Sequence, residues 1–389
     1  MIGRRTVLRT AALAGGGVVV GGAAACSGDD EGVGTGGAQA APKPVAVISS
    51  TPADGAKNVG VKDKIVVRVE QGTLEDVALT NADGKQIAGE LAEDKRSWRV
   101  TEPLGFGKKY RYTARAVGTD NKQVEATGSF TMVTPASEVR ATINPIDDVT
   151  VGVAMPISVR FDVPVTDKAA AERALSVESD PPVEGAWAWL HDRQVDWRPR
   201  EYWPEGTKVK AAASLYGVHY GGGSYGRADL TTEFRIGRNQ VVKIHTPDHE
   251  MRVYRDGELF ATYPSSNGKD KNPDLNTPNG TMIVMAKHEK ARFDNARYGY
   301  TNVWKKWAVR FSNHGEFIHE NDDNRANIGK KNTSHGCVNL LNADAKEYYQ
   351  TAMIGDPVEV TGAKQDMPTT SDVNDWLFDW RTWKSMSAL

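Results

Sequence analysis

Two residue types stand out for what they could do together. Cys337 lies inside the run Thr333-Ser334-His335-Gly336-Cys337-Val338-Asn339, with His319 upstream of it. A free thiol titrates near pH 8.5 and is only a few per cent thiolate at neutral pH, so a cysteine nucleophile needs a neighbouring base. His319, at the end of an expected strand over 316–319, can supply one. His335 and Gly336 suit a tight loop that presents the sulfur, and the backbone N–H groups of such a loop can face a developing oxyanion. Taken alone, Cys337 would read as a small buried hydrophobe, the common fate of a free cysteine; the Ser-His-Gly-Cys context and His319 reverse that reading. His314, His319, His335 and Cys337 are also zinc-ligand types, yet their spacing matches no zinc knuckle and a metal would quench the nucleophile, so neither metal nor cofactor is expected.

These residues must be held by a β-rich frame. Residues 241–245, 251–255, 282–285, 308–311, 316–319 and 358–360 read as strands, with Asp256-Gly257 a tight-turn signal leading into a strand over 258–263. The convincing helix is 343–353, with Asn342 as N-cap and Gly355 before Asp356-Pro357 as its stop. Residues 286–308 carry no clear periodicity, which predicts a mobile lid over the thiol. Phe317 is expected in the core.

Upstream, strands at 65–69, 110–113 and 129–133 alternate with glycine-rich turns. The stretch 58–69 recurs at 150–161, Trp98-Arg99 parallels Trp197-Arg198, and Phe130 and Phe234 close the two units. The expected fold class is therefore mainly β: two tandem immunoglobulin-like β-sandwich domains at 45–136 and 137–238 without an inter-sheet disulfide, a β-rich third domain at 239–363 with one main helix, and a Trp-rich C-terminal extension at 364–389. Trp98 and Trp197 are assigned to cores, and Trp376, Trp380 and Trp383 to packing of the tail. The charge balance, 48 basic against 50 acidic residues, argues against nucleic acid as a partner.

Residues 1–26 combine paired Arg4-Arg5 with an Ala/Gly/Val-rich stretch and read as an export signal, twin-arginine or general secretory. Ala23-Ala24-Ala25-Cys26 is similar to the lipobox of bacterial lipoproteins, which makes Cys26 the lipidation site and a membrane anchor; cleavage after an Ala-x-Ala site is the alternative. Residues 27–44 read as a flexible tether.

The His…Ser-His-Gly-Cys-x-Asn pattern resembles the L,D-transpeptidase (YkuD-type) catalytic domain. Ser266-Asn267-Gly268-Lys269 with Thr277-Pro278-Asn279-Gly280 is similar to that family's Ser-x-Gly-Lys and Thr-Pro-x-Gly segment, and Gly299-Tyr300 to its lid region. With the tandem sandwiches and the Trp-rich tail, the resemblance to mycobacterial-type members extends over almost the whole mature chain. It implies an enzyme of the outer membrane face and cell wall that joins peptidoglycan stems by 3→3 cross-links through a cysteine acyl-enzyme, taking a tetrapeptide donor, releasing D-alanine and using a diaminopimelate-type acceptor; carbapenems would be inhibitors. It further implies Cys337 as nucleophile, His319 as base, His335 in support of the loop, and the amides of His335, Gly336 and Cys337 as the oxyanion hole. Tyr300, His314, Gly315, Ser334 and Asn339 match substrate-binding positions. The departure is Glu320-Asn321-Asp322-Asp323, where relatives carry Ser-Ala-Pro-Trp. Rival readings are an L,D-carboxypeptidase or a protein-to-wall attaching enzyme with the same acyl-enzyme, and a non-catalytic wall-binding lipoprotein.

Overall fold

Tyr110, Tyr112, Ala114 and Ala116 are buried at every second position of the strand Lys109–Gly118, and this alternation sets the inner face of the first sandwich. In the computed structural model, residues 43–295, 299–370 and 373–389 are described. The export signal and Cys26 lie outside the described residues, as does most of the tether. The strand runs beyond the expected 110–113 because its later inward positions are alanines, which fill the pleat without advertising a strand.

The first sandwich packs the sheet Val47–Thr51, Val66–Glu70, Ser97–Val100, Gly89–Leu91 against Gln86–Ile87, Gly72–Asn81, Lys109–Gly118, Gln123–Thr131. The second repeats the plan with Ala141–Asn144, Ile157–Phe161, Gln194–Pro199, Gly185–His191 against Thr150–Val151, Leu230–Ile236, Lys208–Ala213, Leu175–Asp180. The repeat extends to one detail of packing. Trp98 lies over Gly89 and Trp197 over Gly185 so closely that a Cβ on either glycine would stand 1.9 Å from the indole. Both tryptophans are core residues.

The third unit has two sheets, Glu258–Pro264, Glu250–Arg255, Gln240–His245, Pro357–Thr361, Gly280–Ile283 and, facing it, Ala286–Asn295, Tyr300–Arg310, Phe317–Glu320, Val338–Leu340. Val242, Val253, Val309, Ile318, Val338 and Val358 form the core between them, capped by Tyr348 of the helix Asn342–Thr351. The helix begins one residue earlier than expected, so Leu341 and not Asn342 takes the cap position. Two further short helices, Lys168–Glu172 and Trp380–Ser385, join it, each capped by an aspartate: Asp167 accepts from the Ala170 amide and Asp379 from that of Thr382.

The expected lid is no structureless loop: the described parts of 286–308 pair as an antiparallel hairpin, Ala286–Asn295 with Tyr300–Arg310. Its period-2 pattern is hidden because neither face is uniformly apolar. The third unit and the second sandwich share a core, with Ile283, Ile354, Met285 and Trp376 packed among Val151, Val153 and Trp197. Gly152 and Gly355 allow the backbones to touch there, the amides of Gly152 and Ala154 donating to the carbonyls of Ile354 and Gly355 at 2.7 and 2.9 Å.

Candidate active site

The strands Phe317–Glu320 and Val338–Leu340 run parallel, with Ile318 opposite Val338 and His319 opposite Asn339. Ile318, Val338 and Leu340 are fully buried in the core. The alternation of a strand then sends Phe317, His319, Asn339 and Cys337, which immediately precedes the second strand, to the opposite face. Hydrophobic residues on one face thus fix a thiol and an imidazole as diagonal neighbours on the other. Phe317, expected in the core, belongs to this site face, half-buried against Phe293 at a ring separation of 4.8 Å. Cys337 and His319 line a cavity of about 400 Å³ together with Phe293, Val303, Lys305, Asn321, Asp323, Asn324, Thr333, Ser334, His335 and Asn339.

The cysteine loop is held from behind by the Ser-x-Gly-Lys segment. Ser266 and Asn339 exchange backbone hydrogen bonds at 3.0 Å, the Ser334 amide donates to Asn267 at 3.0 Å, and the Lys269 amide donates to Ser334 at 3.2 Å. Gly268 must be glycine, since a Cβ would stand 2.1 Å from the Leu275 carbonyl. Thr277 ties the two layers together: its hydroxyl accepts from the Gly268 amide at 2.9 Å and donates to the Gly336 carbonyl at 2.8 Å. Ser334 shapes the turn from inside, donating to the Cys337 carbonyl at 2.6 Å and accepting from the Gly336 amide at 3.1 Å. Gly336 has φ +119°, a region side chains rarely adopt. Its amide, one of the three expected to face an oxyanion, donates to the Ser334 hydroxyl in this structure.

His319 is buried, and its Nδ1 lies 2.7 Å from the Glu320 carbonyl, which assigns the proton to Nδ1 and leaves Nε2 as a base. Desolvation lowers its pKa to about 4, with Lys305 adding to the effect. Burial pushes the Cys337 thiol up to about 12, against a lowering contribution from the Phe317 backbone. The thiol points at the Gly315 carbonyl, 3.8 Å away. Both shifts favour the neutral forms, an arrangement in which proton transfer from sulfur to imidazole would accompany attack on a carbonyl instead of preceding it. His335 is exposed at the rim, its pKa lowered by partial desolvation and by Lys269.

The other sequence candidates divide. Gly315 and Asn339 are at the thiol, but His314 borders a different cavity, with Asn276, Pro278 and Gln365. The loop that carries it is organised by Ser312, whose hydroxyl accepts from the amides of His314, Gly315 and Glu316 at 3.1 to 3.2 Å. Tyr300 opens the strand Tyr300–Arg310, and its side chain lies outside the described residues. Lys305 was not singled out from sequence; it is drawn into the cavity wall by the hairpin pairing, which no local motif announces.

Comparison with known proteins follows this geometry. The family model of the L,D-transpeptidase catalytic domain matches residues 239–360, and that of a bacterial Ig domain matches residues 56–219, across both sandwiches. L,D-transpeptidase 5 of Mycobacterium tuberculosis is 43% identical over 90% of this chain and 79% of its own length. The chain belongs to the L,D-transpeptidase family. L,D-transpeptidase 2 of the same species is 33% identical over 88% of this transpeptidase and 85% of its own length. The solved structure of the LD transpeptidase LdtMt1 in complex with imipenem is 31% identical, with a TM-score of 0.50 over 58% of this chain and all of that one.

Proposed function

We propose that the transpeptidase forms 3→3 peptidoglycan cross-links through an acyl-enzyme on Cys337. The observation that carries this reading is the placement of Cys337 and His319 on one face of adjacent parallel strands, over a shared cavity, with Nδ1 of His319 occupied by the Glu320 carbonyl. Sγ attacks the carbonyl of the third residue of a tetrapeptide stem while its proton passes to Nε2 of His319. The tetrahedral oxyanion is met by loop amides around Cys337. His319 returns the proton to the departing amine, the C–N bond breaks, D-alanine leaves and a thioester remains. The side-chain amine of a neighbouring stem then attacks the thioester, giving its proton to His319. The C–S bond breaks and the thiol is restored.

A strained β-lactam presents the same electrophile, and the relative bound to imipenem supports the reading that carbapenems acylate Cys337. Intact-mass measurement after incubation with a carbapenem tests it. A single adduct absent from Cys337→Ala is expected; an unmodified protein after long incubation, or an adduct that survives the substitution, would sink the assignment. Mass spectrometry of products from a defined tetrapeptide with and without an amine acceptor then separates transpeptidation from hydrolysis or attachment of a protein. The enzyme acts at the outer face of the cytoplasmic membrane, held by a lipid on Cys26. An N-terminal peptide from cells without acyl mass would remove the anchor and leave the chemistry standing.

A further inference from the structure

Among the described ionisable side chains that line the cavity, Lys305 is the one fixed cation. Its side chain is 14% exposed, and Nζ donates to Asn321 Oδ1 at 2.7 Å and to Asp323 Oδ2 at 3.4 Å. The partners are unequal. Asn321 is anchored by its own amide on the Leu340 carbonyl at 2.8 Å, whereas the Asp323 side chain is 95% exposed. A long bond to a solvated carboxylate contributes little, so the ammonium is desolvated by the cavity wall without a strong counter-ion.

The backbone takes trouble to place it there. Along Tyr300–Arg310, Val303, Lys305 and Val309 share parity, and simple alternation would send Lys305 to the same side as Val309, which is fully buried in the core. Trp307 interrupts the alternation: it adopts φ 53°, a left-handed conformation that is costly for a bulky residue. Its indole turns to the helix, donating to Asn342 Oδ1 at 3.0 Å, and Val303 and Lys305 fall on the cavity side with His319. Asn321 and Asp323 both come from the segment Glu320-Asn321-Asp322-Asp323 that directly follows His319, so the strand that carries the imidazole also supplies the partners of the ammonium.

On the reading that the enzyme is a peptidoglycan L,D-transpeptidase, we propose that Lys305 is a specificity residue that binds a carboxylate of the donor stem, releasing Asp323 to solvent as it does so. Two carboxylates are available. The departing residue carries one just beyond the scissile nitrogen, two bonds from it, and a diaminopimelate-type third residue carries another at the end of its side chain. An ammonium in the same cavity as the thiol is within reach of either, and a charge-assisted hydrogen bond in a desolvated wall discriminates strongly between a carboxylate and its amide.

The test uses the mature full chain and measures kcat/KM for D-alanine release, or for loss of its amide counterpart, from four tetrapeptide donors: the free acid, the C-terminal carboxamide, the donor amidated at the third side chain, and the donor with both amides. Wild type is expected to favour one acid form over its amide by about tenfold or more. Lys305→Met is expected to lose that preference by slowing the acid form and sparing the amide, while Lys305→Arg keeps it. The amidation that erases the effect identifies which carboxylate is bound. The proposal is overturned if wild type does not discriminate at either position, or if Lys305→Met slows all four donors by one factor, as a purely structural role would. Failure of the underlying reading looks different: wild type would then release nothing from any donor and form no carbapenem adduct.

Discussion

The carbonyl of Glu320 holds Nδ1 of its neighbour His319 at 2.7 Å, while the Glu320 carboxylate turns away to the amides of Lys306 and Asp322. A backbone group therefore performs the orienting task that a carboxylate performs in many cysteine and serine enzymes, and the side chain at 320 is free to vary. We expect Glu320→Gln and Glu320→Ala to change the acylation rate by less than about tenfold, against a loss of about 10²-fold or more for His319→Ala. Stopped-flow acylation decides it; a large loss in both Glu320 variants, with native folding, would make the carboxylate a third catalytic group.

The two pKa shifts predict an unusual pH profile. His319, lowered to about 4 by desolvation, is neutral throughout the range above that value and so able to act as the proposed base, and Cys337, raised to about 12, stays protonated. Acylation should hold its rate down to about pH 5 and fall only below it. Alkylation of Cys337 by iodoacetamide should be slower at pH 8 than that of a free cysteine, because the thiolate is scarce. Faster alkylation that levels off by pH 7 would reveal a standing thiolate–imidazolium pair.

Thr277 is buried and bonds on both sides, to the Gly268 amide and the Gly336 carbonyl. Valine keeps the shape but leaves two buried polar groups unpaired, at about 1–3 kcal/mol each. Thr277→Val should lower the melting temperature and slow acylation by about tenfold or more, and Thr277→Ser should recover most of both.

Stability should respond to pH in the direction opposite to that of a protein held by salt-bridged surface acids. Asp196 and Asp375 meet in the buried contact between the second sandwich and the tail, and burial raises both pKa values, Asp196 keeping the proton that the pair shares. Asp356, also buried, is raised to about 6 despite Arg238 at 3.0 Å. From about pH 4 to pH 6 these three carboxyls hold more protons in the folded chain than in the unfolded one; His319, lowered to about 4, works the other way but is one group against three, so unfolding free energy falls as pH rises. Calorimetry should find a higher melting temperature at pH 5 than at pH 7.5, and Asp196→Asn should shrink the difference; an unchanged or reversed trend would show that these carboxyls are ionised in the native state.

The sequence made some of this legible and hid the rest for identifiable reasons. Cys337 and His319 could be paired on paper because their residue types carry chemistry wherever they stand, and Trp98 and Trp197 because a repeat exposes shared packing. The hairpin over 286–310 was hidden, since Phe293 and Val303 face the same wall as Lys305 and a strand that is charged on the cavity side shows no apolar face. The bond from the Gly336 amide to the Ser334 hydroxyl had no signal, because it is a matter of rotamer, invisible to spacing. Asp196 and Asp375 have no signal at all until the tail folds back.

That returning tail changes what the second sandwich is. Arg198 lies between the rings of Trp376 and Trp383, 4.4 and 4.8 Å from their centroids, and donates to the Phe378 carbonyl at 2.8 Å. Trp383 bonds the Ala186 carbonyl at 2.9 Å, and the amide of Ala388, next to the last residue, reaches Glu172 at 2.8 Å. The chain leaves the sandwich to build the catalytic domain and comes back to be fastened on it, like a strap buckled at its free end. A swing of one body against the other would have to open the buckle as well as bend the strap. The sandwich is therefore chassis to the enzyme, and clipping the last helix would loosen the mounting of a cavity that the helix never touches.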